Sequence, residues 1–426
     1  MLSLLKFKIE YIYINLFLFT FLLLAYEVET SIGTLRAIVI TSFLYFYFFY
    51  GKKIYGKRIL LLYVFLLLYL IIAYLYTGFI SVKSFSQIIF LFISVIFLYN
   101  IFIQLGLKKI YKYYIMLSVF ISIGILLQHL GYILKISFLY DFSYFIHKYK
   151  VSTDFGMYRA HFIFPEPATI SYIMSLAFSM SFYSFVYNKK LLDFYIKKSY
   201  GFLIIVAYLI TFSSLGYIVV ILTIFSIVRV RIKSLFLFLF FVIITYLYLI
   251  NNESFMYRID GVLSLFDGDN LSVAKMNLSV WALYSNIVIA SNNFIEYFPI
   301  GVGIANHPIS FDYYHYLLND VDNVNSVILN KENAGGLLIR ISSEFGFIGI
   351  ILVLYFLINF KIHKTDNFSL YLLSNAFLIG IIIILIRHGA YISSLTIFYF
   401  VGYYFIGKSK NKYNEIFESI NCERRI

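Results

Sequence analysis

Runs of apolar residues, most of them long enough to cross a lipid bilayer, follow one another along nearly all of this chain and limit what it can fold into. A spanning helix needs about 20 mostly apolar residues, because the hydrocarbon core is about 30 Å thick and a helix rises about 1.5 Å per residue. Candidate spans lie at 11–26, 33–50, 59–80, 85–107, 113–134, 168–187, 200–213, 215–229, 234–250, 338–360, 367–386 and 389–406. Apart from Arg36, the terminal Arg229 and the pair Arg340 and Glu344, these spans hold no Lys, Arg, Asp or Glu. The chain as a whole is 62% apolar and 13% charged, against roughly half and a quarter in soluble domains. The fold class that follows is an all-α polytopic membrane protein.

Charge sets the expected topology. The net charge of +13 lies in short clusters between the apolar runs and not on one patch, which argues against a nucleic-acid partner. The stretch 200–229 reads either as one tilted helix or as two short ones broken at Thr211-Phe-Ser-Ser-Leu-Gly216. With two, 23 of the 34 Lys and Arg fall on one side, among them the clusters at Lys52, Lys108, Lys189, Arg229 and Lys361. With one, that bias collapses. Positive residues favour the cytoplasmic side, so the sequence predicts twelve segments with both termini cytoplasmic. The short pair also fits a re-entrant element, whose broken backbone must be buried in protein or line a cavity. Residues 1–250 then form nine segments with an outer loop at 135–167. Residues 251–336 form an outer cap, 337–407 the last three spans and 408–426 a cytoplasmic tail. No small-residue cleavage site follows the first run, where Tyr26-Glu-Val-Glu stands instead, so that run reads as an uncleaved span. The single cysteine, Cys422, allows no intrachain disulfide and no cysteine metal site.

The cap stretch is too long for an ordinary connection and too rich in aromatic residues for disorder. It holds nine acidic residues against three Lys or Arg and is expected to be mostly helical. Its Asp320-Val-Asp-Asn-Val-Asn325 run fails as a calcium loop. Val324 occupies a ligand position and Asn325 the place of the obligatory glycine, and sugar hydroxyls suit the run equally well. No metal or cofactor is expected. In the first outer loop, apolar spacing over 136–149 predicts a helix lying on the membrane surface. Gln128 and His129, near the outer end of the fifth span, are expected to face the bundle interior.

Several residues carry possible chemistry. Arg159, His161 and Glu166 put a cation, an imidazole and a carboxylate within eight residues, with Pro165 and Pro167 fixing the backbone beside Glu166. Such a set can bind an anionic headgroup and move a proton; an Arg–Glu pair with an interfacial His is the alternative. Arg258, Arg340 and Arg387 are outer-side cations against the positive-inside bias, and a diphosphate would account for them through the planar guanidinium fork. Ion pairing with loop carboxylates is the alternative. His315 is a candidate general base, and His307 a weaker one. Arg340 and Glu344 are four apart and share a helical face. They either pair or place Arg340 in a cavity with Glu344 as its positioner. Gly346 and Gly349 follow at a spacing that suits close helix contact.

Taken in order, these features resemble the O-antigen polymerase and O-antigen ligase family. The resemblance rests on the Thr-x-Ser-Ser-x-Gly break, Trp281 followed by Pro299-Ile-Gly-Val-Gly303, and Ser343-Glu-Phe-Gly-Phe-Ile-Gly349. Arg159 with Glu166-Pro167 resembles the family's first outer-loop motif. It implies a GT-C-like, metal-independent glycosyltransferase of the bacterial inner membrane. Undecaprenyl-diphosphate-linked glycans would be donor and acceptor, membrane lipids would surround the protein, and a chain-length regulator and a lipid-glycan flippase are implied partners. By resemblance, outer-loop arginines hold the donor diphosphate, with Arg159, Arg258 and Arg340 as candidates. Family ligases carry a His-Asn pair where this chain reads Lys331-Glu-Asn-Ala334, so the resemblance favours a polymerase of O-antigen, capsule or exopolysaccharide repeats over a ligase to lipid A core. The family's Arg shortly before the loop Trp is absent, with Lys275 nearest. A flippase or transporter is the rival of another class, but transporters place polar groups at mid-membrane, and these spans are nearly free of charge.

Overall fold

The computed structural model describes residues 2–23, 27–30, 33–49, 57–79, 81–144, 146, 149, 151, 153–154, 157–187, 193–228, 260, 278–318, 328–364 and 367–423. Within them the chain is a predominantly helical membrane protein. Five helices are long and apolar enough to cross a bilayer, and four shorter apolar helices accompany them. The order is α1 (Leu2–Leu22), a hairpin of β1 (Glu27–Thr30) and β2 (Gly33–Arg36), α2 (Ala37–Phe48), α3 (Lys57–Thr77), α4 (Val82–Ile133), α5 (Ser137–Tyr140), α6 (Pro167–Val186), α7 (Lys198–Leu209) and α8 (Ser214–Val228). After the described gap come α9 (Leu278–Glu296), α10 (His307–Tyr314), α11 (Leu337–Asn359), α12 (Phe368–Arg387) and α13 (Ser394–Glu423). Every expected span coincides with a helix except 234–250, which lies outside the described residues along with Arg258 and the 320–325 run.

Breaks fall where backbone geometry requires them. α4 is 52 residues long, about 78 Å at helical rise and too long for one crossing. Gly106 interrupts it with φ 73° and ψ 155°, which separates the two apolar runs 85–107 and 113–134. The Thr211-to-Gly216 break is also present. α7 ends at Leu209, α8 starts at Ser214, and Phe212 between them has φ 47°.

Three expectations are corrected. Among the described residues of 136–149 only Ser137–Tyr140 is helical, so no continuous surface helix runs through them. The rest folds back on the bundle, with the Tyr149 and Tyr158 hydroxyls both donating to Tyr140 O, at 3.0 and 2.7 Å. The last helix starts at Ser394, not 389; before it, side chains take up the carbonyls, Arg340 that of Gly389, Thr396 that of Ala390 and Arg36 that of Ile392. The second span starts at Ala37, since 33–36 pairs antiparallel with 27–30.

α6 and α12 are the centre of the bundle. Their most apolar windows are 78% and 72% buried, against 17% for α3 at the edge. Interior contact relies on small residues and hydroxyls, because in lipid the apolar effect does not discriminate between helix and solvent. Ser175 bonds the Tyr399 hydroxyl at 2.6 Å, and Ser179 bonds Thr223 at 2.8 Å. α12 and α13 interlock reciprocally: Gly380 lies under the Tyr399 ring and Gly402 under Phe377.

The cap is fastened to the bundle at a break in α11. Gly346 leaves the helical region with φ 57° and ψ −145°, which frees the carbonyls of the preceding turn. Val302 N donates to Ser343 O at 3.0 Å and Gly303 N to Glu344 O at 2.9 Å. Ile348 N donates to Pro299 O at 3.2 Å. The Tyr69 hydroxyl of α3 lies 2.8 Å from Ile300 O and 2.5 Å from Glu344 O. The two glycine motifs of the sequence therefore meet each other. Gly346 does not serve helix–helix contact as its spacing suggested. It makes the break, and Gly349 accommodates Phe345 and Ile341 of its own chain across it.

Candidate functional site

The loop 388–393, between α12 and α13, receives the few charges of the bundle. Arg340 Nη1 donates to Gly389 O at 3.1 Å, and Arg36 Nη1 donates to Ile392 O at 3.2 Å. The Tyr172 hydroxyl donates to Arg387 O at 2.9 Å. Gly389 has no alternative residue here, since a Cβ would overlap Asn333 O. The turn that supplies Asn333 holds Asn330, Ala334 and Gly335 in left-handed backbone, with φ 58°, 55° and 68°. Such conformations cluster at functional sites in non-glycine residues.

Arg340 is the best-connected of these groups. Its Nε donates to Glu344 Oε1 at 2.9 Å, its Nη2 to Gln87 Oε1 at 3.1 Å, and the guanidinium lies 4.5 Å from the Tyr391 ring centroid. The side chains of the pair are 4% and 0% exposed. Pairing therefore occurs, and it extends through Arg340 to α4 and the 388–393 loop. One N–H on each terminal nitrogen remains for a further acceptor.

Arg387, His388 and Ser393 are less satisfied. Arg387 Nη1, His388 Nε2 and Ser393 Oγ are buried without a hydrogen-bond partner, a condition that in folded proteins asks for a ligand, ion or water. His388 rests on the Tyr172 ring at 5.0 Å. Burial, and secondarily Arg36, push its pKa down to about 3, so it is neutral at physiological pH. Glu166 is exposed at the N-terminus of α6, where its extended backbone and Pro167 start the helix. Glu166 and Arg387 both lie within electrostatic reach of Tyr172.

The other candidates are placed elsewhere. His161 is fully buried. Its Nδ1 lies 2.6 Å from Phe164 O and so donates to it, and its backbone N donates to Gln128 Oε1 at 2.9 Å. Gln128 Oε1 also accepts from Phe162 N at 2.7 Å, so this interior amide ties the first outer loop to α4, as its expected interior position allows. Arg159 is half-buried beside these residues. His315 lies on a 3-10 turn, His315–Leu318, with its ring 6.0 Å from Phe311, which packs with Ile289 and Tyr314 in a small apolar cluster. Arg36, Gln87, His388 and Tyr391 went unassigned in the sequence. Arg36 alone carried a signal, as a charge inside an apolar run.

His307 is a structural pin. Its Nε2 lies 2.9 Å from Asn286 Oδ1 and its Nδ1 2.8 Å from Ser343 Oγ. Asn286 Nδ2 is used by Ala282 O and Leu329 O, which leaves Oδ1 as acceptor and makes Nε2 the protonated nitrogen. Asn293 donates to Ser343 Oγ at 2.7 Å, which turns that hydroxyl proton toward Nδ1. Both ring nitrogens are occupied in the neutral form, and burial with Arg340 lowers the pKa to about 3. An unfolded His protonates near 6.5, so the unfolded state takes up the proton first as pH falls. Native stability is expected to decline as pH drops from about 6.5 toward 3, by up to about 1.4 kcal/mol per unit. A thermal melt series in detergent checks this: His307→Gln should flatten the profile, and an unchanged slope would contradict the assignment.

Among the described residues no cluster of His, Cys, Asp and Glu forms a metal site. Comparison with protein-family models and with curated protein sequences gives no match.

Proposed function

We propose that this protein is a membrane glycosyltransferase that polymerises undecaprenyl-diphosphate-linked oligosaccharide repeats for a bacterial surface polysaccharide. The observation that carries the reading is the convergence of Arg36, Arg340 and Arg387 on the one loop 388–393. Charges buried among apolar spans are functional by default. Glu344 pairs with Arg340 and Glu332 with Lys83, so the positive charge that remains around the loop favours an anion. All these residues belong to segment ends that the alternating topology puts outside the membrane. Lys109 and Glu10, which that topology puts inside, pair with each other at 2.6 Å.

In this reading the hydroxyl oxygen of an acceptor sugar attacks the anomeric carbon of the donor. The bond from that carbon to the diphosphate oxygen breaks, and undecaprenyl diphosphate leaves with the electron pair. Arg387 and Arg340 stabilise the departing charge, which grows in the transition state. Glu166, exposed at the same end, takes the acceptor proton; His315 is the second candidate for that role. By resemblance the reaction needs no metal.

Membranes supplied with lipid-linked single repeats and no lipid A core should build a glycan ladder. Arg387→Ala should lower ladder formation by about ten- to a hundredfold at normal protein level, the value of a charge-assisted phosphate contact. Arg387→Lys should recover part of it. With lipid A core added, transfer to it without a ladder would support the ligase reading. No glycan transfer of either kind would overturn the enzyme reading, as would a reporter at Asn270 that reads cytoplasmic.

A further inference from the structure

A second feature of the outer loop lies apart from the arginines. The C-terminal ends of α3 and α9 meet α10 and its 3-10 turn in a patch of tyrosines. Phe79 contacts the rings of Tyr297 and Tyr313 at 5.9 and 6.3 Å. The Tyr76 hydroxyl donates to Phe298 O at 3.1 Å. The Tyr297 and Tyr314 hydroxyls bond at 3.2 Å, and Tyr314 donates to Glu296 Oε2. These contacts brace the patch, and Tyr313 and Tyr316 present 62% and 66% of their surface. Exposed Glu296 and Asp312 flank them.

We infer that Tyr313 and Tyr316, with Glu296 beside them, form a saccharide-binding platform on the outer loop. Rings held by their neighbours offer a large amphipathic contact at little entropic cost, and they suit the C–H faces of a pyranose. Phenol hydroxyls and a carboxylate suit its hydroxyl groups. Both described hydrogen bonds to Glu296 fall on Oε2, from Tyr314 and from Asn292 at 3.4 Å, so Oε1 remains to accept.

Charge separates this occupant from a lipid surface. Tyrosine is also common at membrane interfaces, but contact with anionic headgroups calls for Lys and Arg. Here the flanking charge is acidic, and Lys331 is committed to Asp312 at 2.6 Å. The patch is joined to the reaction centre by the Pro299–Gly303 segment that docks on the break in α11. Resting on the polymerase reading, the platform holds the glycan already made, so its loss shortens the product without slowing the first joining step.

The test uses the full-length protein in detergent and the free repeat-unit oligosaccharide as probe. Saturation-transfer NMR should give an affinity that falls about tenfold or more in Tyr313→Ala with Tyr316→Ala, and falls much less in the two Tyr→Phe changes, which keep the rings and lose only the hydroxyls. With lipid-linked repeats, the alanine pair should make shorter ladders at an unchanged rate of first joining. In a Cys422→Ser background, the thiol introduced by Tyr316→Cys should react with a membrane-impermeant maleimide and be protected by the oligosaccharide. Wild-type affinity and ladder length in the alanine pair would overturn the platform. So would a thiol that only a lipid-soluble reagent reaches, since that places the patch in the bilayer. If wild type binds the oligosaccharide but builds no ladder, the polymerase reading fails and the platform stands.

Discussion

Arg340→Ala is expected to destabilise the protein by about 3–5 kcal/mol, the usual result of removing one partner from a buried ion pair. The change leaves the Glu344 carboxylate in the interior with its one strong partner gone. Among the described residues no other cation is paired with it, and the neighbouring Tyr391 ring carries no charge to replace the guanidinium. Gln87 Oε1 and Gly389 O lose their donors at the same time. Removing both charges, as Arg340→Met with Glu344→Leu, should restore much of that stability, because two hydrophobic residues of similar volume often match a buried pair. Activity should not return with it if the guanidinium also contacts the diphosphate. Exchanging the two residues should fail on both counts, since a guanidinium at position 344 starts one helical turn from Gln87 and Gly389. Melting in detergent beside the ladder assay separates the two effects. A single Arg340→Ala variant as stable as wild type would refute the keystone role.

Gly301→Ala and Gly346→Ala should each cost about 2–5 kcal/mol and should not add. Both glycines have left-handed backbone, with φ 84° and 57°, a conformation costing other residues about 1–2 kcal/mol. A Cβ on Gly301 would stand 2.5 Å from Gly346 N, and one on Gly346 would stand 2.5 Å from Pro299 O. Neither neighbour is a flexible side chain, so the docked segments must separate, and the hydrogen bonds from Val302 and Gly303 go with them. Once one substitution has opened the contact, the second has less to disrupt, so the pair should fall short of the sum by about 1 kcal/mol or more. Gly78→Ala is the control. Its φ is 71°, but nothing lies within 4 Å of the added carbon, so it carries the conformational cost alone. Single variants no worse than Gly78→Ala, or a strictly additive pair, would show that the glycine motifs do not hold the cap.

The sequence by itself determined the helices, since hydropathy over a 20-residue run is a local quantity. It also located the break before Gly216 and marked Arg340, Glu344 and Arg387 as charges out of place. It misjudged 136–149 and the start of the last helix for one reason. In both places the backbone is satisfied by groups outside the stretch, such as Tyr158 on Tyr140 O and Arg36 on Ile392 O, which periodicity cannot register. Only the tertiary structure decided that Pro299–Gly303 docks on Ser343–Gly346, that His307 is a neutral pin, and that Arg36, Arg340 and Arg387 share the loop 388–393. Those facts depend on which helix ends meet. In a membrane bundle, that choice rests on a few glycines, hydroxyls and buried charges dispersed along the whole chain.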